Sequence, residues 1–362
     1  MKNQKNFFLI VIAFLAITGC KKSKPAVGPT KTTIDVYVVG YAIAGNGAEI
    51  AVYWKNGKII RLSDSLSNSR AYGIAVQGDD VYAVGYTHDA TYSVVKAIYW
   101  KNGVGTFLDG GPRSSSATSI ALQGSDVYIG GESSDINGNS FATYWKNGVA
   151  TMLPPRSVGS FVTSIAINGS DVYFAGGTVF DVNGHFVASY WKNGGPPVAL
   201  QLLNGAISST TTGIAVNGAD VYVAGNSLID VVSGTTHTIR YVATYWKNGV
   251  ATQLTDTTSN NFTNSIATNG ADVFVVGSTH TSAKGNSIST YWKNNVPVQL
   301  VDASPSSGAY GIAFNNTDVY VVSFEAMNTV SGVIIWKNGV PSQLSNVNGK
   351  SIYASQIVVV SH

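Results

Sequence analysis

One phrase, Tyr-Trp-Lys-Asn-Gly with small variations, recurs seven times, and its tryptophans (Trp54, Trp100, Trp145, Trp191, Trp246, Trp292 and Trp336) are all the tryptophans in the chain. Successive spacings are 46, 45, 46, 55, 46 and 44 residues. Self-similarity at a period of this length marks a repeat architecture, in which each unit hides its apolar faces by standing against its neighbours. A second phrase, Asp-Val-Tyr or Asp-Val-Phe, keeps the same beat from Asp35, Asp80, Asp126, Asp171, Asp220, Asp272 and Asp318. A third, Ile-Ala, begins at Ile74, Ile120, Ile165, Ile214, Ile266 and Ile312, six times rather than seven.

Each unit reads as four short strands, a to d. In the second unit these are Gly73 to Val76, Val81 to Val84, Ala97 to Trp100, and Gly105 to Leu108. Such runs are rich in Val, Ile, Tyr and Trp and are bounded by Gly, Asn and Asp, the composition of strands and hairpins. Asn-Gly at the c–d joint, as in Asn56-Gly57 and Asn102-Gly103, supplies the two positive-φ positions of a type I′ turn, and the sixth copy has Asn294-Asn295. Four antiparallel strands in one such unit make a propeller blade. The expected fold is therefore all-β: a seven-bladed β-propeller with the tryptophans as wedges between blades, each burying roughly 150–250 Å².

The missing Ile-Ala fits this reading. The first unit begins at strand b, Val36 to Val39, whereas the run Ala354 to Val360 follows the last unit without a partner. The C-terminal strand is expected to complete the first blade, which closes the ring and removes a free edge. A β-prism and an open stack are the competing architectures, but the caps an open stack needs are not evident.

Two resemblances follow from these residues. Tyr173-Phe174-Ala175-Gly176-Gly177 ahead of Trp191 is kelch-like, although kelch repeats separate their Tyr from their Trp and here Tyr190 and Trp191 are adjacent. Ala243-Thr244-Tyr245-Trp246-Lys247-Asn248-Gly249 resembles the core of a bacterial extracellular repeat of the Ala-Phe-Leu-Trp type. The likeness covers about residues 34 to 360 and implies fold rather than activity.

The N-terminus is of another kind. A basic head (Lys2, Lys5), an apolar run from Phe7 to Ile17 and small residues before Cys20 have the form of a signal peptide. Cys20 is the only cysteine, and Ile17-Thr18-Gly19-Cys20 resembles the bacterial lipobox, which implies cleavage before the cysteine and its acylation. The competing account is an ordinary leader with a chance cysteine. The expected organisation is 1–19 lipoprotein signal peptide, 20–33 lipidated cysteine and flexible tether, and 34–362 propeller. The expected location is a bacterial envelope, with a Gram-negative outer membrane favoured and the facing side open. Six lysines precede residue 33 and every acidic residue follows it, so the propeller carries 16 basic against 19 acidic residues. A net negative folded part argues against nucleic acid as a partner.

Strand direction divides the loops between two rims. The a–b and c–d hairpins share one, where a lysine after each tryptophan (Lys55 through Lys337) sits near the Asp that opens strand b, an arrangement expected to form cross-strand pairs. The b–c and d–a connections share the other, where sequence varies and binding is expected. Its candidate ligand-binding residues are His88, Asp89, Arg113, Asp135, Asn137, Arg156, Asp181, Asn183, His185, Asp230, His237, Arg240 and His280, with Tyr92, Phe180, Phe186 and Tyr241 as aromatic candidates. Asp-x-Asn-Gly at Asp135 and Asp181 matches only the start of a calcium loop, and a tight Asx turn explains it more simply. No cofactor is expected; calcium or another divalent metal at the loop histidines and aspartates is a subsidiary expectation.

Catalytic signatures are missing. Glutamate occurs only at Glu49, Glu132 and Glu325, and the residues before each Ile, expected to line the channel, are Gly73, Ser119, Ser164, Gly213, Ser265, Gly311 and Gln356. These small or amide residues offer neither the carboxylate pair of a glycosidase nor a general base. The expected function is an envelope binding or scaffolding module, monomeric, held to the membrane by its acylated cysteine and using the loop rim for a protein or glycan. A channel-centred hydrolase or lyase acting on polysaccharide is the alternative.

Overall fold

The computed structural model describes residues 32–88, 94–109, 113–154, 158–179, 184–280, 285–300, 306–327, 330–346 and 349–362. The leader, Cys20 and the tether through residue 31 lie outside the described residues, and Ile34–His362 is one compact unit.

Seven four-stranded antiparallel sheets make up this unit. Blade 2 is representative, with strands Ser69–Gln77, Asp80–His88, Val95–Lys101 and Val104–Phe107. Blade 1 takes its innermost strand from the chain's end: Ile352–Ser361 pairs with Ile34–Ile43, setting Val359 opposite Val36 and Gln356 opposite Val39. The inner strands stand side by side around the ring, the last blade's against Ile352–Ser361 and that strand against Ser69–Gln77. The closure expected from the absent Ile-Ala is thus formed.

Blade faces are joined by apolar clusters that cross from one sheet to the next. Trp54 of blade 1 packs with Tyr320 and Val322 of blade 7, and Trp246 of blade 5 with Tyr173 and Ala175 of blade 4. All seven indoles are buried, the most exposed being Trp336 at 3%. Several also tie blades by hydrogen bonds: Trp54 Nε1 donates to the Ser345 carbonyl at 2.9 Å, Trp191 to that of Pro154 at 2.6 Å, and Trp246 to that of Gln201 at 2.7 Å. The indole is therefore a wedge that fills the gap and pairs the carbonyl where the preceding blade's outer strand ends.

The hairpin rim is a repeated structural clasp. Each turn asparagine adopts positive φ (Asn56 at 50°, Asn248 at 51°), followed by a second positive-φ residue that is glycine in six blades and Asn295 (73°) in blade 6. Its side chain accepts the N–H that follows the strand-b aspartate and donates to that aspartate's carboxylate, as in Val36 N to Asn56 Oδ1 at 2.8 Å and Asn56 Nδ2 to Asp35 Oδ1 at 2.7 Å. The other carboxylate oxygen meets the lysine: Lys55–Asp35, Lys101–Asp80 and Lys146–Asp126 are each 2.8 Å apart, and the remaining four blades repeat the pair. Each ammonium also lies 5.1 to 5.5 Å from the ring of the Tyr or Phe in strand b. The ring of lysines is thus neutralised in place.

These contacts set an acid limit. The lysine's hydrogen bond, then that of the asparagine amide, hold all seven aspartates below their ordinary value. A carboxylate whose folded pKa is depressed stabilises the fold above its unfolded value, about 3.9, and loses that contribution as pH falls through the folded value. The melting temperature is expected to hold from neutrality to about pH 5 and to fall steadily below about pH 4. Circular dichroism melts across that range check this, and an unchanged midpoint at about pH 2 would contradict it.

Every inner strand carries one β-bulge at an equivalent place. At that place the bulged residues are Tyr72, Thr118, Thr163, Thr212, Asn264, Tyr310 and Ser355, one per blade, and the longer inner strand of blade 5 has a second register shift at Ile207. The bulge brings a strand-a carbonyl against strand b, where a Cβ on Gly85 would lie 1.9 Å from the Arg70 oxygen and one on Gly225 1.9 Å from that of Thr210. Glycine in strand b is the residue that leaves room for this approach. Blade 7 has Ser323 at the corresponding position, with Gly308 nearby in strand a.

The bulge corrects the expected channel lining. An extra residue shifts the alternation by one, so the side chain facing the axis is the bulged one. The residues before each Ile instead touch the next blade: Ser119 Oγ accepts from Ile165 N at 3.1 Å, Ser164 Oγ from Ile214 N at 3.4 Å, and Gln356 Oε1 from Ile74 N at 2.8 Å.

Candidate functional site

All seven bulged residues face one cavity of about 460 Å³ at the channel mouth on the loop rim. Its two halves differ. On one side Thr118, Thr163, Thr212 and Asn264 present short polar groups that also bridge blades: Thr118 Oγ1 donates to the Val162 carbonyl at 2.8 Å, and Asn264 Nδ2 to that of Ala309 at 2.7 Å. On the other, Tyr72 and Tyr310 project rings from the same frame, and Tyr310 is 38% exposed.

Behind these rings stands an aromatic wall from blades 1 and 7. Tyr41 and Tyr353 face each other across the Ile34–Ile43 and Ile352–Ser361 pair, with centroids 4.6 Å apart and planes 15° from parallel. Phe324 stacks on Tyr353 at 5.7 Å. Arg70, from the start of the blade 2 inner strand, sets its guanidinium 4.5 Å from the Tyr41 ring. Stacking of this kind fixes a guanidinium's plane as well as its position.

Glu49 fixes that plane further. Arg70 Nε donates to Glu49 Oε2 at 2.6 Å and Nη2 to Oε1 at 2.5 Å, a two-pronged pair. Five N–H groups are available on an arginine, so this fork leaves donors beyond the pair. The Glu49 hydrogen bonds hold the Arg70 guanidinium well above its usual value, and burial raises the Tyr41 hydroxyl to about 12. Both groups keep their neutral-pH charge state, and the Arg70–Glu49 pair cancels, so the cavity has an aromatic and a hydroxylic side without net charge.

Among the described residues, none of the rim candidates lines this cavity. Asp89, Arg156, Asp181 and Asn183, with Tyr92 and Phe180, lie outside the described residues. His88 borders a separate hollow of about 410 Å³ with Asp64, Lys96 and Phe107. Asp135 closes an Asx turn, its Oδ1 accepting from Asn137 N at 2.8 Å and Asn139 N at 2.9 Å, with Arg113 Nη1 beside Gly138. His185 is half-buried in its loop. Asp230, His237 and Arg240 stand on the blade 5 hairpin of Asp220–Ser233 and Thr236–Lys247, where His237 Nδ1 lies 2.7 Å from Asp230 Oδ2. His280 meets the Phe262 ring edge-on at 6.2 Å. Among the described residues no three His, Cys, Asp or Glu side chains come together as metal ligands do.

Sequence reasoning missed Tyr41, Tyr353, Phe324 and the Arg70–Glu49 pair, and placed the channel lining one residue late. A usable signal was present: two residues before each inner-strand Ile the repeat varies from Tyr to Thr, Asn and Ser, within an otherwise uniform frame.

Comparison with solved structures adds the fold and no more. A Mycobacterium tuberculosis puromycin-hydrolysing peptidase superposes with a TM-score of 0.53 at 10% identity, covering 86% of this chain and 52% of its own, so the chain spans about half that peptidase's length. A Pseudomonas brassicacearum lignostilbene dioxygenase gives 0.51 at 10% identity, covering 91% of this chain and 92% of its own. No family model matches the chain, and no curated protein matches it. What this chain shares with both structures is an all-β ring of blades.

Proposed function

We propose that the chain is a lipid-anchored envelope protein that binds a glycan at the channel mouth, taking a neutral sugar ring against Tyr310 and Tyr72. The observation that carries this reading is the division of one cavity between aromatic rings and short hydroxyl and amide groups, with an arginine held rigid beside them. A pyranose has an apolar C–H face and an equator of hydroxyls, and such a site complements both. A pocket of this size, part apolar with a few fixed polar groups, is the usual form of a small-ligand site. The resemblance of Ile17-Thr18-Gly19-Cys20 to a lipobox supports the membrane anchor, and the net negative charge of residues 34–362 fits a partner other than nucleic acid.

The test is binding of a neutral oligosaccharide panel to the full chain in detergent micelles, by calorimetry. At least one class is expected to bind, with Tyr310→Ala weakening it tenfold or more, about 1.4 kcal/mol, and leaving the melting temperature within a few degrees. Absence of binding across the panel, or binding untouched by Tyr310→Ala, would refute the reading. Cleavage of a panel member would favour the hydrolase alternative. Labelled palmitate should enter the wild type and not Cys20→Ser.

A further inference from the structure

A second cavity, of about 540 Å³, lies between blades 2 and 3 and shares Tyr72 and Thr118 with the channel mouth. Its character is different. Serine hydroxyls dominate the lining, from Ser114, Ser116, Ser134 and Ser140 among others, and Glu132 is the one charged side chain among the described residues that line it. Among the described residues, no lysine, arginine or histidine lines this cavity with Glu132. Burial pushes its carboxyl up, and what opposes that is neutral, the hydroxyls of Ser116, whose Oγ lies 3.5 Å from Glu132 Oε1, and of Ser140.

The contrast with the other carboxylates is informative. Each aspartate that opens strand b has a lysine, Glu49 has Arg70, and Asp230 has His237. Glu132 sits half-buried beside open space with hydroxyls around it and two tyrosines, Tyr72 and Tyr86, 5.8 Å apart at the wall. A carboxylate in that setting, flanked by aromatic faces and hydroxyl acceptors, is completed by a cation small enough to enter with the ligand. A primary ammonium group fits this description: it donates three hydrogen bonds and is attracted by both the carboxylate and the tyrosine faces.

We propose that the Glu132 cavity is an ammonium subsite continuous with the channel mouth, so that the glycan recognised is one bearing free amino groups. This rests on the glycan reading of the channel mouth and deepens it: Tyr310 and Tyr72 hold one ring, and the amine of a neighbouring ring reaches Glu132 past the shared Tyr72 and Thr118.

Three tetrasaccharides of one linkage decide it: β-1,4-linked glucosamine, its N-acetylated form and cellotetraose, each titrated into the full chain at about pH 6, where an amine is protonated. The glucosamine oligomer is expected to bind the wild type at least tenfold more tightly than the two neutral ones. Glu132→Gln should bring it level with them. Equal affinity for all three in the wild type, a comparison that needs no variant, overturns the subsite and leaves the glycan reading standing. A preference that survives in both Glu132→Gln and Glu132→Ala overturns it as well. If none of the three binds, the channel-mouth reading falls and the subsite with it.

Discussion

Removing residues 352–362 is expected to abolish cooperative folding of the entire ring, not merely to fray one blade. Those residues provide the inner strand of blade 1, paired with Ile34 to Ala42 and interrupted only by the bulge at Ser355. Ile352, Ala354 and Ile357 are buried at 0%, 5% and 2% exposure in a cluster that also holds Val38, Trp54, Tyr320 and Val322. Losing three such side chains forfeits several kcal/mol, at about 1.5–3 kcal/mol for each large one. The deletion also bares the edge of Ile34–Ile43 and opens contacts to blades 7 and 2 together, since this strand packs against Tyr320 and Val322 of blade 7, while Gln356 Oε1 accepts from Ile74 N and Ser355 Oγ donates to the Ala71 carbonyl of blade 2. A domain holds only about 5–15 kcal/mol in reserve. The truncated chain should lose its single denaturant transition and bind a hydrophobic dye, whereas a circular permutant that joins His362 to Thr33 and opens at Gly234 should keep both fold and transition. One sharp transition in the truncated chain, near the parent's midpoint, would show that the ring does not depend on its closing strand.

Closure was readable because it needs only arithmetic on a repeat: six copies of a phrase where seven are required, and an unpaired apolar run at the end. The lysine–aspartate pairs were readable for a similar reason, because strand direction alone places Lys55 beside Asp35 and repeats the placement around the ring. The channel was not readable at the same level. A β-bulge adds one residue to one strand without changing composition, so the spacing that found Ile74 gave Gly73 for the axis where the structure has Tyr72. The glycines of strand b, read as part of a kelch-like phrase, have a local cause in the carbonyl that the bulge pushes towards them. The aromatic wall is less legible still. Tyr41, Phe324 and Tyr353 belong to different strands, and Glu49 and Arg70 to adjacent blades, so neither a motif nor a fixed spacing links them. Loop composition drew attention to the histidines, but composition does not determine which side chains converge.

The tryptophans give the second large expected effect, and a comparison of two substitutions separates its parts. Trp246→Ala should destabilise the ring by about 3–5 kcal/mol, because it empties a fully buried site between blades 4 and 5 that the surrounding strands are too rigid to refill. The loss is expected to be steeper than for an isolated sheet, since Tyr173, Ala175 and Leu200 on one blade and Val223 on the other all face the vacated space. Trp246→Phe keeps most of the apolar volume but removes the N–H that meets the Gln201 carbonyl at 2.7 Å. Its cost should be smaller, about 1–3 kcal/mol for a carbonyl left without its partner together with imperfect filling. Urea unfolding followed by circular dichroism measures both variants against the parent. If the indole is a wedge, alanine costs at least about 1 kcal/mol more than phenylalanine and both keep the parent's denaturant slope. Equal losses would mean that the hydrogen bond, rather than the filled volume, holds neighbouring blades together, and a loss below about 1 kcal/mol for alanine would remove the wedge as the basis of the ring.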